Sequence, residues 1–121
     1  MFNPKLGYLN INSVKTKFFQ FSEFVKNDYD IIILAETKLD SSFPTDQFLM
    51  NSHKRPYRLD ISKSSGGILV YINKNIASKQ ISSFKLPKDF QAVIFEINLN
   101  KNKWLIISTY NPYKKKWPSF S

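Results

Sequence analysis

Two periodicities alternate along this chain. Leu6-Gly7-Tyr8-Leu9-Asn10-Ile11 predicts a short strand, after which Val14, Phe18, Phe21 and Val25 recur at intervals of four, three and four residues, the spacing of one helical face. Ser13 stands where an N-cap belongs, and Asn27-Asp28 supplies a stop. Ile31-Ile32-Ile33-Leu34-Ala35 is then apolar at every position and β-branched at three of them, the pattern of a strand covered on both faces. Strand, helix and buried strand in that order predict a βαβ unit with parallel pairing.

No period survives from 38 to 56, where Pro44, Asp46, Asn51 and Ser52 predict a long loop holding a helical turn. Strand signals resume at Tyr57-Arg58-Leu59-Asp60-Ile61 and Gly67-Ile68-Leu69-Val70-Tyr71-Ile72, with residues 62–66 as a hairpin connection. A second hairpin joins 92–99 to 104–110 through Asn100-Lys101-Asn102, whose asparagines tolerate left-handed geometry. The fold class expected is α/β (α+β). The last residues, 114–121, carry Lys114-Lys115-Lys116-Trp117 and Pro118 and read as an irregular basic tail behind a single domain of 1–113.

Composition narrows the picture. With 121 residues, 42% hydrophobic, 16% aromatic and eleven Phe, the chain can supply one core and is not of disordered type. The absence of cysteine removes disulfides, thiolate metal sites and cysteine nucleophiles, and suits an intracellular protein, nuclear or cytoplasmic. No signal peptide opens the sequence, and no window approaches the ~20 apolar residues of a membrane span. The net charge of +9 favours a polyanionic partner, DNA above all, because neutralising phosphates releases counterions. Sixteen of the eighteen basic residues are Lys, however, and only Arg55 and Arg58 carry the planar fork that suits phosphate best, so a codon bias towards Lys explains the charge about as well.

Chemistry is expected where polar groups end apolar strands: Asn10, Glu36 and Tyr110-Asn111. In α/β sheets ligands gather beyond the carboxyl ends of strands, although ordinary strand termination produces the same residues. Glu36 stands out, because the apolar run before it holds the carboxylate rigidly at the core rim. A carboxylate so held suits Mg²⁺, which takes one or two protein carboxylates and completes its shell with water and phosphate.

Four segments carry a resemblance: Tyr8-Leu9-Asn10-Ile11-Asn12-Ser13, Ile31 through Leu39 with Ala35-Glu36-Thr37-Lys38 at its centre, Gly66-Gly67-Ile68-Leu69-Val70-Tyr71-Ile72, and Ser108-Thr109-Tyr110-Asn111-Pro112. In order and spacing they resemble the first four blocks of the endonuclease/exonuclease/phosphatase family, most of all the endonuclease region before reverse transcriptase in non-LTR retrotransposons. The resemblance implies a metal-dependent phosphodiester hydrolase that nicks target DNA to prime reverse transcription, with Mg²⁺, or Mn²⁺ in its place, as cofactor. It implies that Asn10 bonds the reacting phosphate and orients the nucleophile. Glu36 is then the principal metal carboxylate, Asn12 a secondary metal support, and Tyr110 the phenol against the scissile phosphate.

The family's later Asp-x-Asn pair and Asp-held His do not follow Tyr110. His53, the single histidine, has no carboxylate spaced to orient it and reads as a surface residue. The chain is therefore expected to be the N-terminal part of such a domain, inactive alone, with the remainder of a polyprotein or a second half of the domain as partner. One mixed sheet of a two-sheet sandwich with a flanking helix is expected. The second sheet would be missing, which would leave an uncovered apolar face and poor solubility. Other readings are a non-catalytic nucleic-acid binder using the Lys-rich tail, a same-fold phosphatase for small phosphorylated molecules, and the translation of a decayed element.

Overall fold

The computed structural model describes residues 3–85 and 90–110. A four-stranded sheet and a three-stranded sheet stack face to face, with one helix on the outer side of the first. The first sheet has the order β1 (Leu6–Asn10), β2 (Ile31–Ala35), β4 (Ile68–Ile72), β3 (Tyr57–Leu59), and α1 (Val14–Val25) connects β1 to β2. β1 and β2 run parallel, with Asn10 opposite Ala35, and β4 returns antiparallel to both β2 and β3. The βαβ unit and the first hairpin thus form as their patterns predict, and a 3-10 turn at Thr45–Phe48 supplies the helical turn of the long loop.

The apolar run of β2 is explained by its two neighbours. Ile32 and Leu34 join Val14, Phe21 and Val25 of α1 in one core, while Ile31 and Ile33 join Val93, Phe95, Ile97 and Leu99 in another between the sheets. Each such side chain stabilises the fold by ~1.5–3 kcal/mol when fully buried. Every residue of β2 and β4 is buried, so the strand that ends at Glu36 is held from both sides.

The second sheet, with the order β5 (Ala77–Lys85), β6 (Gln91–Leu99), β7 (Asn102–Tyr110), overturns the expectation that it would be missing. β5 escapes pattern reading because Ala77, Ser78, Lys79, Gln80, Ser82 and Ser83 give it no hydrophobic alternation. Its charges and the irregularity between Gln80 and Ser82 are those of an edge strand. The predicted uncovered face of the first sheet is therefore covered, and the exposed apolar surface lies elsewhere. Leu105 and Ile107 are 64% and 57% exposed, and they stand opposite Glu96 and Ile94 on the outer face of the second sheet. Leu6, Tyr8 and Leu9 are exposed on β1, an edge strand of the first sheet, as are Phe19 and Phe24 on α1.

Three local expectations also change. Ser13 precedes α1 but makes no capping bond through its side chain: its backbone stands at φ 84°, its N–H donates to Glu36 O at 2.9 Å, and its hydroxyl is buried. In the β6–β7 turn Asn100 and Lys101, with φ of 51° and 68°, take the left-handed positions that a two-residue hairpin turn needs. His53 is not a surface residue. It is 2% exposed, its Nε2 lies 2.8 Å from Tyr29 O, and its ring meets Tyr71 edge-on, so it packs the core. The basic tail and the Asn111-Pro112 end of the fourth segment lie outside the described residues, among which no helix is long and apolar enough to cross a membrane.

Candidate active site

The parallel pairing of β1 and β2 brings both carboxyl ends to one end of the sandwich, and the register there places Asn10 beside Ala35, next to Glu36. The backbone turns sharply at this point. Asn12, Ser13, Glu36 and Lys38 all have positive φ, at 48°, 84°, 56° and 56°. Left-handed backbone costs about 1–2 kcal/mol per non-glycine residue, so the surroundings must impose it. Hydrogen bonds do so: Ile11 N to Ala35 O at 3.0 Å, Ser13 N to Glu36 O at 2.9 Å, Val14 N to Thr37 O at 3.1 Å and Lys38 N to Gly66 O at 2.8 Å.

Tyr110 comes from the other sheet. It pairs with Gln91 across β6 and β7, and Gln91 is buried, its Oε1 accepting from Gly67 N at 2.9 Å. The Gly66–Gly67 segment holds Thr37 and Lys38 through its carbonyls, so one short chain of bonds links the strand bearing Tyr110 to the loop bearing Glu36. Gly67 stands at φ 103°, and a Cβ there would collide with Thr37 Oγ1.

The Tyr110 hydroxyl lies near the Glu36 carboxylate and the Asn10 side chain, close enough for each to act on its proton, and Tyr8 lies close enough to be felt electrostatically. Burial pushes the Tyr110 phenol up to about 12, helped by its bond to Glu36 and by the charge of Glu36. The bond with Asn10 pulls the other way, as an amide N–H donated to the phenolic oxygen would. Tyr8 is raised as well, by burial first and then by Glu36. Three of the four predicted site residues therefore converge: an acceptor for a cation or a proton, and two donors suited to an anionic oxygen.

Asn12, the fourth, sits one loop away. Its Oδ1 accepts from Lys38 Nζ, and Lys17 Nζ donates to its carbonyl at 2.8 Å and to Ile11 O at 3.0 Å. With Asn12 Oδ1 turned to an ammonium group, Glu36 is the carboxylate available to a divalent ion, and no group of three or more His, Asp or Glu side chains clusters among the described residues. One carboxylate beside two amide or phenol groups fits Mg²⁺, which keeps most of its shell for water and phosphate, and does not fit an ion that needs an all-protein cage.

Sequence patterns missed the parts that assemble this site. Gln91 carries no signal beyond a polar residue ahead of an apolar strand, and Lys17 and Lys38 resemble any solvated lysine. Arg58, a candidate phosphate fork, is committed to structure: it binds Asp60 at 2.8 Å, the carbonyls of Phe43 and Asp40, and Thr45 Oγ1.

No protein-family model matches the sequence, and no curated protein matches it. Solved structures do. The 3′ phosphatase NExo from Neisseria, bound to product DNA hairpin, is similar over 85% of this chain at 20% identity with a TM-score of 0.57. The 3′-5′ exonuclease NExo from Neisseria meningitidis is similar over 81% at 19% identity with a TM-score of 0.52. The chain spans 40% and 38% of those two chains. The fold is thus similar to that of an exonuclease and phosphatase: a mixed α/β arrangement of two sheets and one helix.

Proposed function

We propose that this chain is the N-terminal part of a metal-dependent phosphodiester hydrolase acting on DNA, and that it supplies the phosphate-binding half of the centre without a base. The single observation that carries this is the meeting of Tyr110 with Glu36 and Asn10 at strand ends drawn from both sheets. In this role Asn10 bonds the reacting phosphate and holds the attacking water in line. The Tyr110 phenol donates to the oxygen on which charge grows, a placement worth about 10²–10³ in rate for one such donor. Glu36 would hold a divalent ion, Mg²⁺ or Mn²⁺, which when bound supplies Lewis-acid stabilisation of the phosphoryl oxygens. Asn12 contributes indirectly, by fixing Lys38 beside Glu36.

Water attacks phosphorus, the bond from phosphorus to the 3′ oxygen breaks, and the water proton must leave to a base. His53 is buried against Tyr29 and Tyr71, so it is no candidate for that base, whose contribution is commonly 10²–10⁴ in rate. The chain alone is therefore inactive. The four sequence segments support the finer reading of a retrotransposon endonuclease that nicks target DNA to prime reverse transcription, its remaining residues supplied by a second half of the domain. The NExo structure bound to a DNA hairpin supports DNA over small phosphorylated molecules as the substrate class.

Incubation with supercoiled plasmid and Mg²⁺ is expected to give no nicking, while Mg²⁺ tightens binding of the chain to single-stranded DNA and Glu36→Gln removes that gain. Chelator-sensitive nicking lost in Glu36→Ala would overturn the inactivity. DNA affinity indifferent to both Mg²⁺ and Glu36→Gln would overturn the assignment of the centre.

A further inference from the structure

Beyond Glu36 the same end of the molecule carries a row of cations. Lys38 and Lys17 flank Asn12, and Lys15, two residues before Lys17 on α1, reaches across to the β3–β4 loop, where its Nζ donates to Lys63 O at 3.3 Å. Lys15, Lys17 and Lys63 are exposed, and none of the four lysines has a carboxylate within ion-pair distance among the described residues. Three carboxylates share this end: Glu36, Asp40, and Asp60, which is paired with Arg58. The Asp40 carboxyl is held below its usual range, first by its bonds with Ser42 and then by the nearby charges of Lys63 and Lys15.

The placement works against local stability. Lys15 and Lys17 occupy the first turn of α1, which contains no acidic residue, and cations there oppose the helix dipole. Lys15 also approaches the Phe43 ring, at 4.9 Å from its centroid. Unpaired like charges gathered from a helix, a strand exit and a loop are relieved by an anion.

We propose that Lys15 and Lys63 form a second phosphate-binding station, which takes the backbone of the same nucleic-acid strand whose reacting phosphate lies at Asn10, Glu36 and Tyr110. This rests on the reading of that centre as a phosphodiester site and adds the path of the strand: past Lys38 and Lys17, over the start of α1, to the β3–β4 loop. The contacts are independent of base sequence. An ammonium on a flexible stem binds phosphate as a point charge, whereas both arginines, the groups able to read bases through two bonds, are engaged, Arg58 in the fold and Arg55 with Asp46.

The test is a salt titration of the full chain binding a fluorescein-labelled single-stranded DNA, read by anisotropy for wild type, Lys15→Gln, Lys63→Gln, the double variant and Asp40→Asn. Lys79→Gln is the control, since Lys79 lies 3.8 Å from Glu96 on the outer face of the second sheet. Each station variant is expected to flatten the plot of log affinity against log salt by about 0.7, the value for one phosphate on a single strand, and the effects should add in the double variant. Asp40→Asn should tighten binding, and Lys79→Gln should leave the slope unchanged. Circular dichroism confirms that each variant is folded. A double variant with the wild-type slope, an Asp40→Asn that binds no tighter, or no DNA binding by the wild type would each overturn the station. Loss of the Mg²⁺ and Glu36 dependence with the lysine effects intact would overturn the centre alone.

Discussion

Tyr110 is the residue on which the proposed chemistry turns, and its proton is the measurable part. With the phenol raised from 10.0 to about 12, the folded state binds that proton more tightly than the unfolded chain does. The associated stability is fully present below about pH 10 and is lost as pH climbs towards about 12. The tyrosinate absorbance difference between wild type and Tyr110→Phe should therefore stay flat through pH 10 and rise only near 12. In a Glu36→Gln background it should rise at lower pH, because one bond and one negative charge are gone while burial remains. A Tyr110 that ionises near 10 in the wild type would mean that its hydroxyl does not face Glu36. Asn10, Glu36 and Tyr110 were each legible in the sequence as polar residues closing apolar strands. That they meet was implied by the family resemblance alone and left no local pattern, since proximity between β1, β2 and β7 is set by how two sheets stack.

At the scale of elements, β2 and the β6–β7 hairpin were legible because burial on both faces, or a turn between two apolar runs, leaves a local trace. β5 left none: its side chains serve a sheet edge, and its place is decided by pairing with β6. The joint between the sheets was equally hidden, and it rests on Gln91. Because Gln91 is 2% exposed and accepts from Gly67 N, Gln91→Ala would leave a buried N–H without its partner, at a cost of about 1–3 kcal/mol. Urea unfolding should show a lowered midpoint at unchanged slope, and the loosened joint should also lower the Tyr110 ionisation. A midpoint shift equivalent to less than about 0.5 kcal/mol, the scale of a neutral surface change, would show that the joint lies elsewhere.

At the scale of the whole molecule, apolar surface stays exposed on both sheets. One sheet covers the other, yet among the described residues β1 is an edge strand with Leu6, Tyr8 and Leu9 exposed, and Leu105 and Ile107 are exposed on the second sheet. A strand with apolar residues exposed on both of its faces is built for an interior position. The matched regions amount to about two-fifths of the NExo chains, in keeping with that. The uncovered apolar surface expected from the sequence lies elsewhere on the molecule, because β5, which has no hydrophobic alternation, completes a second sheet over the first.

If a carboxylate, an amide and a phenol share one cation-bound phosphate position, Mn²⁺ reports on all three at once. In side-chain NMR spectra, substoichiometric Mn²⁺ is predicted to broaden the Asn10 amide and the Tyr110 ring together while sparing the Asn98 amide, which faces outward on the second sheet. Glu36→Gln should abolish the effect. Broadening centred away from these residues, or unchanged in Glu36→Gln, would contradict the assignment of the site.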